Sequence, residues 1–191
     1  MLLRRRPPRI DTRRTDAAKG FEHLDENWIA VLRWLNANRV EFVLVGAVAE
    51  AIRGDLRAKG PVAVVPAPYR RNFERLARAL DAARARVRVD GTGADGAADT
   101  TPMKMTADKL ARGQRWTLRC GGHDLDIEGE PPGASRYQEL VYESGRFEPA
   151  TDVNIEVASP EDIEHYAHIR RTGTAPEIAI TRQPRVAQDA T

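Results

Sequence analysis

Apolar residues recur at helical spacing through Leu24, Trp28, Val31, Leu32 and Leu35, which predicts an amphipathic helix with one buried face. Order is expected from about Phe21, and Asn36-Ala37-Asn38 ends the helix. Residues 40–45 then form an apolar run broken only by Glu41, the mark of a strand in the middle of a sheet. Gly46 opens a short helix that Gly54 is expected to close. Val62, Val64 and Val65 predict a second short strand, stopped by Pro66 and Pro68. Over residues 69–83 the helical period returns. Phe73, Leu76, Ala77 and Leu80 are expected inside, and Arg70, Arg71, Glu74, Arg75 and Arg78 outside.

The second half reads in shorter pieces. A strand is expected at 86–89, followed by a small, polar, glycine-rich loop over 90–101. Thr106 can cap a brief helix reaching Gly113. Residues 115–128, RWTLRCGGHDLDIE, predict a hairpin turned at Gly121-Gly122. On its second arm Leu125 and Ile127 face one way, and Asp124, Asp126 and Glu128 the other. GEPPGASRY is a loop, and 137–142 is weakly helical. A strand follows at 153–157. Ser159-Pro160-Glu161-Asp162 then starts a helix with a cap, a proline in the first turn and acids near the positive pole. These elements predict an α/β (α+β) fold, a mixed β-sheet with flanking helices.

The chain divides into three parts. Residues 1–19, rich in arginine and proline, predict a disordered basic arm; 20–172 predict the folded domain; 173–191 predict a loosely structured tail in which 178–180 can add an edge strand. Arg4, Arg5, Arg6, Arg9, Arg13 and Arg14 suit either a solvated tail or a segment tracking a nucleic-acid backbone.

Charge narrows the function classes only slightly. Thirty bases against 28 acids leave a net charge of +2, which does not announce a nucleic-acid binder. The bases are nearly all arginine, a usage that phosphate recognition and a GC-rich codon bias both produce. The single cysteine, Cys120, excludes an internal disulfide framework and points to a reducing cytoplasm. No run approaches ~18 consecutive apolar residues, so no membrane association is expected. MLLRRRPPRI lacks the apolar core of a secretory signal.

Four segments carry a family resemblance: FVLVGAVAEAIRG, RAKGPVAVVP, HDLDIEGEPPG and NIEVASPEDIEH. In order and spacing they resemble the DNA-polymerase-β-like nucleotidyltransferases, in particular the small bacterial branch of abortive-infection (AbiEii-type) toxins and minimal nucleotidyltransferases. The resemblance spans about 21–171. It implies a glycine and a small residue at a helix start that admit a triphosphate, at Gly46 and Ala47. It also implies two carboxylates, one residue apart on the next strand, and a third from another strand, together holding two metal ions.

Position by position the match is incomplete. The paired acids fall on Pro61 and Ala63, neither of which binds metal, while Asp126 matches the third carboxylate with Asp124 beside it. A lysine frequent on the last helix is replaced by Ala167, between His165 and His168. Loss of a partner behind a metal ligand alone costs roughly 10–100-fold in affinity or activity, and loss of two ligands costs more. The resemblance therefore implies a degenerate, catalytically impaired protein with no metal site. Its role would be nucleotide or phosphate binding, or regulation, in the manner of toxin–antitoxin or phage-defence systems, with a protein partner as a further expectation. The alternative is an active enzyme moving a nucleoside monophosphate from an NTP to RNA or protein, with Mg2+ on Asp126 and Asp124. Under a shifted alignment Asp55 can swing into the site and Glu50 can face it, although both read more simply as solvent-facing or capping residues.

Other signals are weaker. His165 and His168 with Glu161, Asp162 and Glu164 offer ligand types at helical spacing, but without a matching second cluster they read as a solvated helix face. His123 beside Asp124 invites acid–base chemistry or a structural role, and Cys120 has no activating partner nearby in sequence. Trp28 fits the buried stripe of its helix, whereas Trp34 is expected on the outside, where it can mark a partner surface.

Overall fold

The computed structural model describes residues 8–12, 17–92 and 98–173. Among them are eight strands: β1 (Phe42–Val45), β2 (Val62–Pro66), β3 (Arg86–Thr92), β4 (Ala98–Pro102), β5 (Trp116–Cys120), β6 (His123–Ile127), β7 (Gly145–Ala150) and β8 (Val153–Val157). They form one sheet in the order β4-β3-β5-β6-β2-β1-β8-β7. β1 runs parallel to β8 and β2 parallel to β6, while the other neighbours are antiparallel. The protein is thus of the α+β class with a mixed sheet. Every residue of β1 and β2 is buried, which is why these two read as unbroken apolar runs.

Six helices accompany the sheet: α1 (Glu26–Ala37), α2 (Gly46–Ile52), α3 (Arg70–Ala82), α4 (Ala107–Leu110), α5 (Tyr137–Glu143) and α6 (Pro160–Thr172). Asp25 caps α1 by accepting from the Asn27 amide at 2.7 Å. Thr106 caps α4, and Ser159 caps α6 with Pro160 in its first turn, as the sequence predicts. The C-cap of α2 is Arg53 rather than Gly54, which follows it at φ +110°. Arg53 secures this end by donating from Nε to the Ala158 carbonyl at 2.7 Å.

Of the two tryptophans of α1, Trp28 packs against the core as expected, whereas Trp34 does not lie on the outside. α1 lies across β8, β2 and β6, so its buried arc is wide enough to take in Trp34, only 2% exposed. Trp28 is half-buried, and its indole donates to the Gly60 carbonyl at 3.0 Å. Trp34 is therefore a core residue and not a partner surface.

Asn72, fully buried on α3, adds to the backbone hydrogen bond that joins Ala67 to Glu41 beyond the ends of β2 and β1. Its Oδ1 accepts from the Glu41 amide at 2.8 Å, while Nδ2 donates to the carbonyls of Glu41 at 2.8 Å and Ala67 at 3.0 Å. The entry to β1 and the exit from β2 are thereby tied to the same helix.

Three further differences concern the sheet edges. The stretch 90–101, expected as a loop, contains the end of β3 and the start of β4, paired from Arg86 opposite Pro102 to Thr92 opposite Ala98. β7 has no counterpart in the sequence reading. β4 and β7 are the outermost strands of the sheet, positions that tolerate small, polar or proline-containing segments. At the N-terminus, Ala17 bridges Ala150, the Ala18 amide donates to the Pro149 carbonyl at 2.8 Å, and half-buried Ile10 packs against the core. Residues 1–7, 13–16 and 174–191 lie outside the described residues, and with them most of the basic arm and the 178–180 segment. No helix among the described residues is long and apolar enough to cross a membrane.

Candidate functional site

The central register brings the singled-out positions together. Val45 stands opposite Ala63 on β2, and Ala63 stands opposite Asp126 on β6. Paired residues of neighbouring strands share a face, and so do residues two apart on one strand. Pro61 and Ala63 therefore lie on the same face as Asp124, Asp126 and Glu128. The hairpin adds Arg119 opposite Asp124 and Thr117 opposite Asp126.

On this face the charges alternate in an unbroken ladder. Arg119 donates to Asp124 Oδ1 at 3.0 Å, and Arg88 on β3 donates to Asp124 Oδ2 at 3.3 Å. Arg88 also donates to Asp126 Oδ1, while Arg115 Nη2 donates to Asp126 Oδ2 at 2.9 Å. Arg115 Nε lies 3.6 Å from Glu128 Oε2, and Arg170 of α6 donates to Glu128 Oε1. Asp126 is 2% exposed and Glu128 is 8% exposed, so both would be untenable as charges without these guanidiniums.

Gly46 sits at the inner end of the cluster with φ +70°. A Cβ there would lie 3.2 Å from Ala63 Cβ and 3.5 Å from Arg170 Nη2. Gly46 thus serves left-handed backbone and the close approach of an arginine. Ala47 is half-buried, and its Cβ faces Gly60, where an added carbon would be 3.1 Å away. Ala167 carries no charge, but Arg170, three residues on, brings a cation from the same helix to the sheet.

A pair of magnesium ions does not fit these residues. Pro61 and Ala63 supply no ligand, and both oxygens of Asp126 are engaged by guanidinium N–H groups. Among the described residues no three His, Cys, Asp or Glu side chains gather as a metal-holding group. Asp55 is exposed and accepts from the Arg57 amide at 2.9 Å, and Glu50 is half-buried on α2.

Other titratable groups are structural. Burial, with Asp124 nearby, pushes the Cys120 thiol up to about 12, so it is a neutral core group. Burial, assisted by Arg119, lowers the His123 pKa and favours the uncharged ring. His165 is buried and its Nε2 donates to the Gly133 carbonyl at 2.9 Å, which ties α6 to the loop after β6. Asp162, also buried, accepts from Ser135 Oγ at 2.7 Å and Ser159 Oγ at 2.9 Å. Glu128 is held above the usual carboxylate range, because burial outweighs the opposing pull of Arg170 and Arg115.

A cavity flanks each end of the ladder. One of about 370 Å3 lies between Trp28, Pro61, Arg119, His123 and Asp124. The other, about 290 Å3, lies between Arg115, Glu128, Pro131, Tyr166, Ile169 and Arg170. Sequence reasoning found the acids and missed the four arginines that neutralise them. Compared with known proteins, the chain matches no family model and no curated protein.

Proposed function

We propose that this protein is a non-catalytic binding or regulatory module on a nucleotidyltransferase-like scaffold, with arginines where an enzyme of that layout holds divalent cations. The observation carrying this reading is the engagement of both Asp126 oxygens by Arg88 and Arg115. A metal ion entering there would displace N–H donors and then sit beside fixed positive charges. Even two unit charges 4 Å apart repel by about 4 kcal/mol at an effective dielectric of 20, and a dication doubles that.

The same arrangement favours anions. Four guanidiniums (Arg88, Arg115, Arg119 and Arg170) face three carboxylates (Asp124, Asp126 and Glu128), which leaves one positive charge in excess. Arginine presents planar N–H forks suited to phosphate or carboxylate, and it needs no metal to do so. The module therefore binds a phosphate-bearing or other anionic ligand, such as a nucleotide, without magnesium.

Titration with labelled ATP, with and without magnesium, tests this. Binding is expected to be insensitive to magnesium, with no transfer of nucleotide to RNA or protein. Magnesium-dependent transfer that disappears in Asp126→Ala would establish the enzyme instead.

A further inference from the structure

The cavity at the Arg170 end of the ladder has features that the ladder alone does not require. Its wall is apolar, made by Pro131, Tyr166 and Ile169, and its charged side is Arg115 and Arg170 with Glu128 between them. At about 290 Å3 it approaches the lower end, roughly 300 Å3, of pockets that hold small ligands. Its frame is fixed by backbone. The Glu130 amide donates to the Gly113 carbonyl at 2.9 Å, and a Cβ on Gly129 would collide with that carbonyl oxygen. Tyr166 donates from its hydroxyl to the Ser135 carbonyl at 2.9 Å, and Asp162 binds Ser135 from the same helix. A site whose walls are already held loses little freedom when a ligand arrives.

Glu128 is the unusual member. Each of its oxygens takes one guanidinium, with neither arginine forming a two-point fork, and the Arg115 Nε approach is 3.6 Å. The carboxylate is buried at a cost that the two arginines do not cancel. It occupies the arginines as an incoming anion would.

We infer that this cavity binds a small organic anion, an apolar ring or short chain bearing a phosphate or carboxylate, and that Glu128 is an internal competitor for Arg115 and Arg170. The apolar body lies against Pro131, Tyr166 and Ile169, and the anionic head takes the guanidiniums from Glu128. This rests on the metal-free binding role proposed above and gives that role a place, a ligand class and a built-in brake.

Calorimetric titration in EDTA with phenyl phosphate, benzoate and inorganic phosphate provides the test. Glu128→Gln, which keeps shape and removes the competing charge, is expected to bind phenyl phosphate or benzoate about tenfold more tightly than the wild type. Preference between these two identifies the head group. Arg170→Met, which keeps the apolar stem at the last turn of α6, is expected to lose most of the affinity. The inference fails if Glu128→Gln binds no more tightly, or if Arg170→Met matches the wild type. It also fails if inorganic phosphate binds as well as phenyl phosphate, or if no probe binds any of the proteins. Should Glu128→Gln not fold, the Arg170→Met comparison decides alone. Magnesium-dependent transfer in a separate assay would overturn the non-catalytic reading without altering these titrations.

Discussion

Arg170 lies against Gly46: a side-chain carbon on that glycine would sit 3.5 Å from the arginine's Nη2. The contact joins α6 to the first residue of α2, directly after β1, and it depends on glycine twice. One reason is the backbone, at φ +70°, and the other is the 3.2 Å approach to Ala63 Cβ. Gly46→Ala is expected to destabilise the fold by about 1–3 kcal/mol through left-handed strain and crowding. Urea unfolding measures this, and a change within about 0.5 kcal/mol, the range of a neutral surface substitution, would contradict it.

Trp34 gives a test of the core. Removing a fully enclosed indole leaves a cavity that the neighbouring α1 and sheet side chains only partly fill. Trp34→Ala is expected to cost about 3–5 kcal/mol. Trp28→Ala, at a half-buried site, is expected to cost less, so equal losses would argue against the placement of α1.

Cys120 is expected to resist thiol reagents. With its thiol pushed up to about 12 and its side chain fully enclosed, almost no thiolate forms near neutral pH. A colorimetric disulfide reagent is expected to read no thiol in the native protein and one in denaturant. Rapid native labelling would show that β5 opens readily.

Glu128 makes stability depend on pH in a definite direction. Its folded pKa is raised from 4.5, so the fold prefers the protonated acid. That contribution is full below about pH 4.5 and is lost as pH rises through the folded pKa. Arg170 and Arg115 oppose the shift, while Asp126 adds to it. Unfolding free energies of the wild type and Glu128→Gln, compared from about pH 4 to about pH 7, should show the wild type losing ground as pH rises. The opposite slope would mean that the two arginines prevail over burial.

Part of the charged ladder is legible in the hairpin itself. A turn at Gly121-Gly122 places Arg119 opposite Asp124 and Thr117 opposite Asp126, so two strands of simple alternation bring arginine to acid. The central apolar strands and the capped helices are equally plain, because burial and capping leave strong local signals. Arg88 and Arg170 are not legible in this way. They reach the acids from 36 to 42 residues away in sequence, and only the strand order and the docking of α6 decide where they arrive. β4 and β7 leave little trace in the sequence for a different reason: an outermost strand needs no continuous apolar run, and GRFEPA and ADTTP have none. The burial of Trp34 is not legible from the helical period alone, because a helix seated across three strands hides more of its circumference than a single stripe.

The Asn72 carboxamide has a consequence for the whole centre of the molecule. One amide group, meeting three backbone atoms from two chain segments, fixes how far β1 can slide along β2. A slip of one residue would set Val45 opposite a different residue of β2 than Ala63 and carry Gly46 out of its place beside Ala63 and Arg170. A neutral carboxamide at one end of the two strands thus helps hold the glycine at their other end where the arginine meets it.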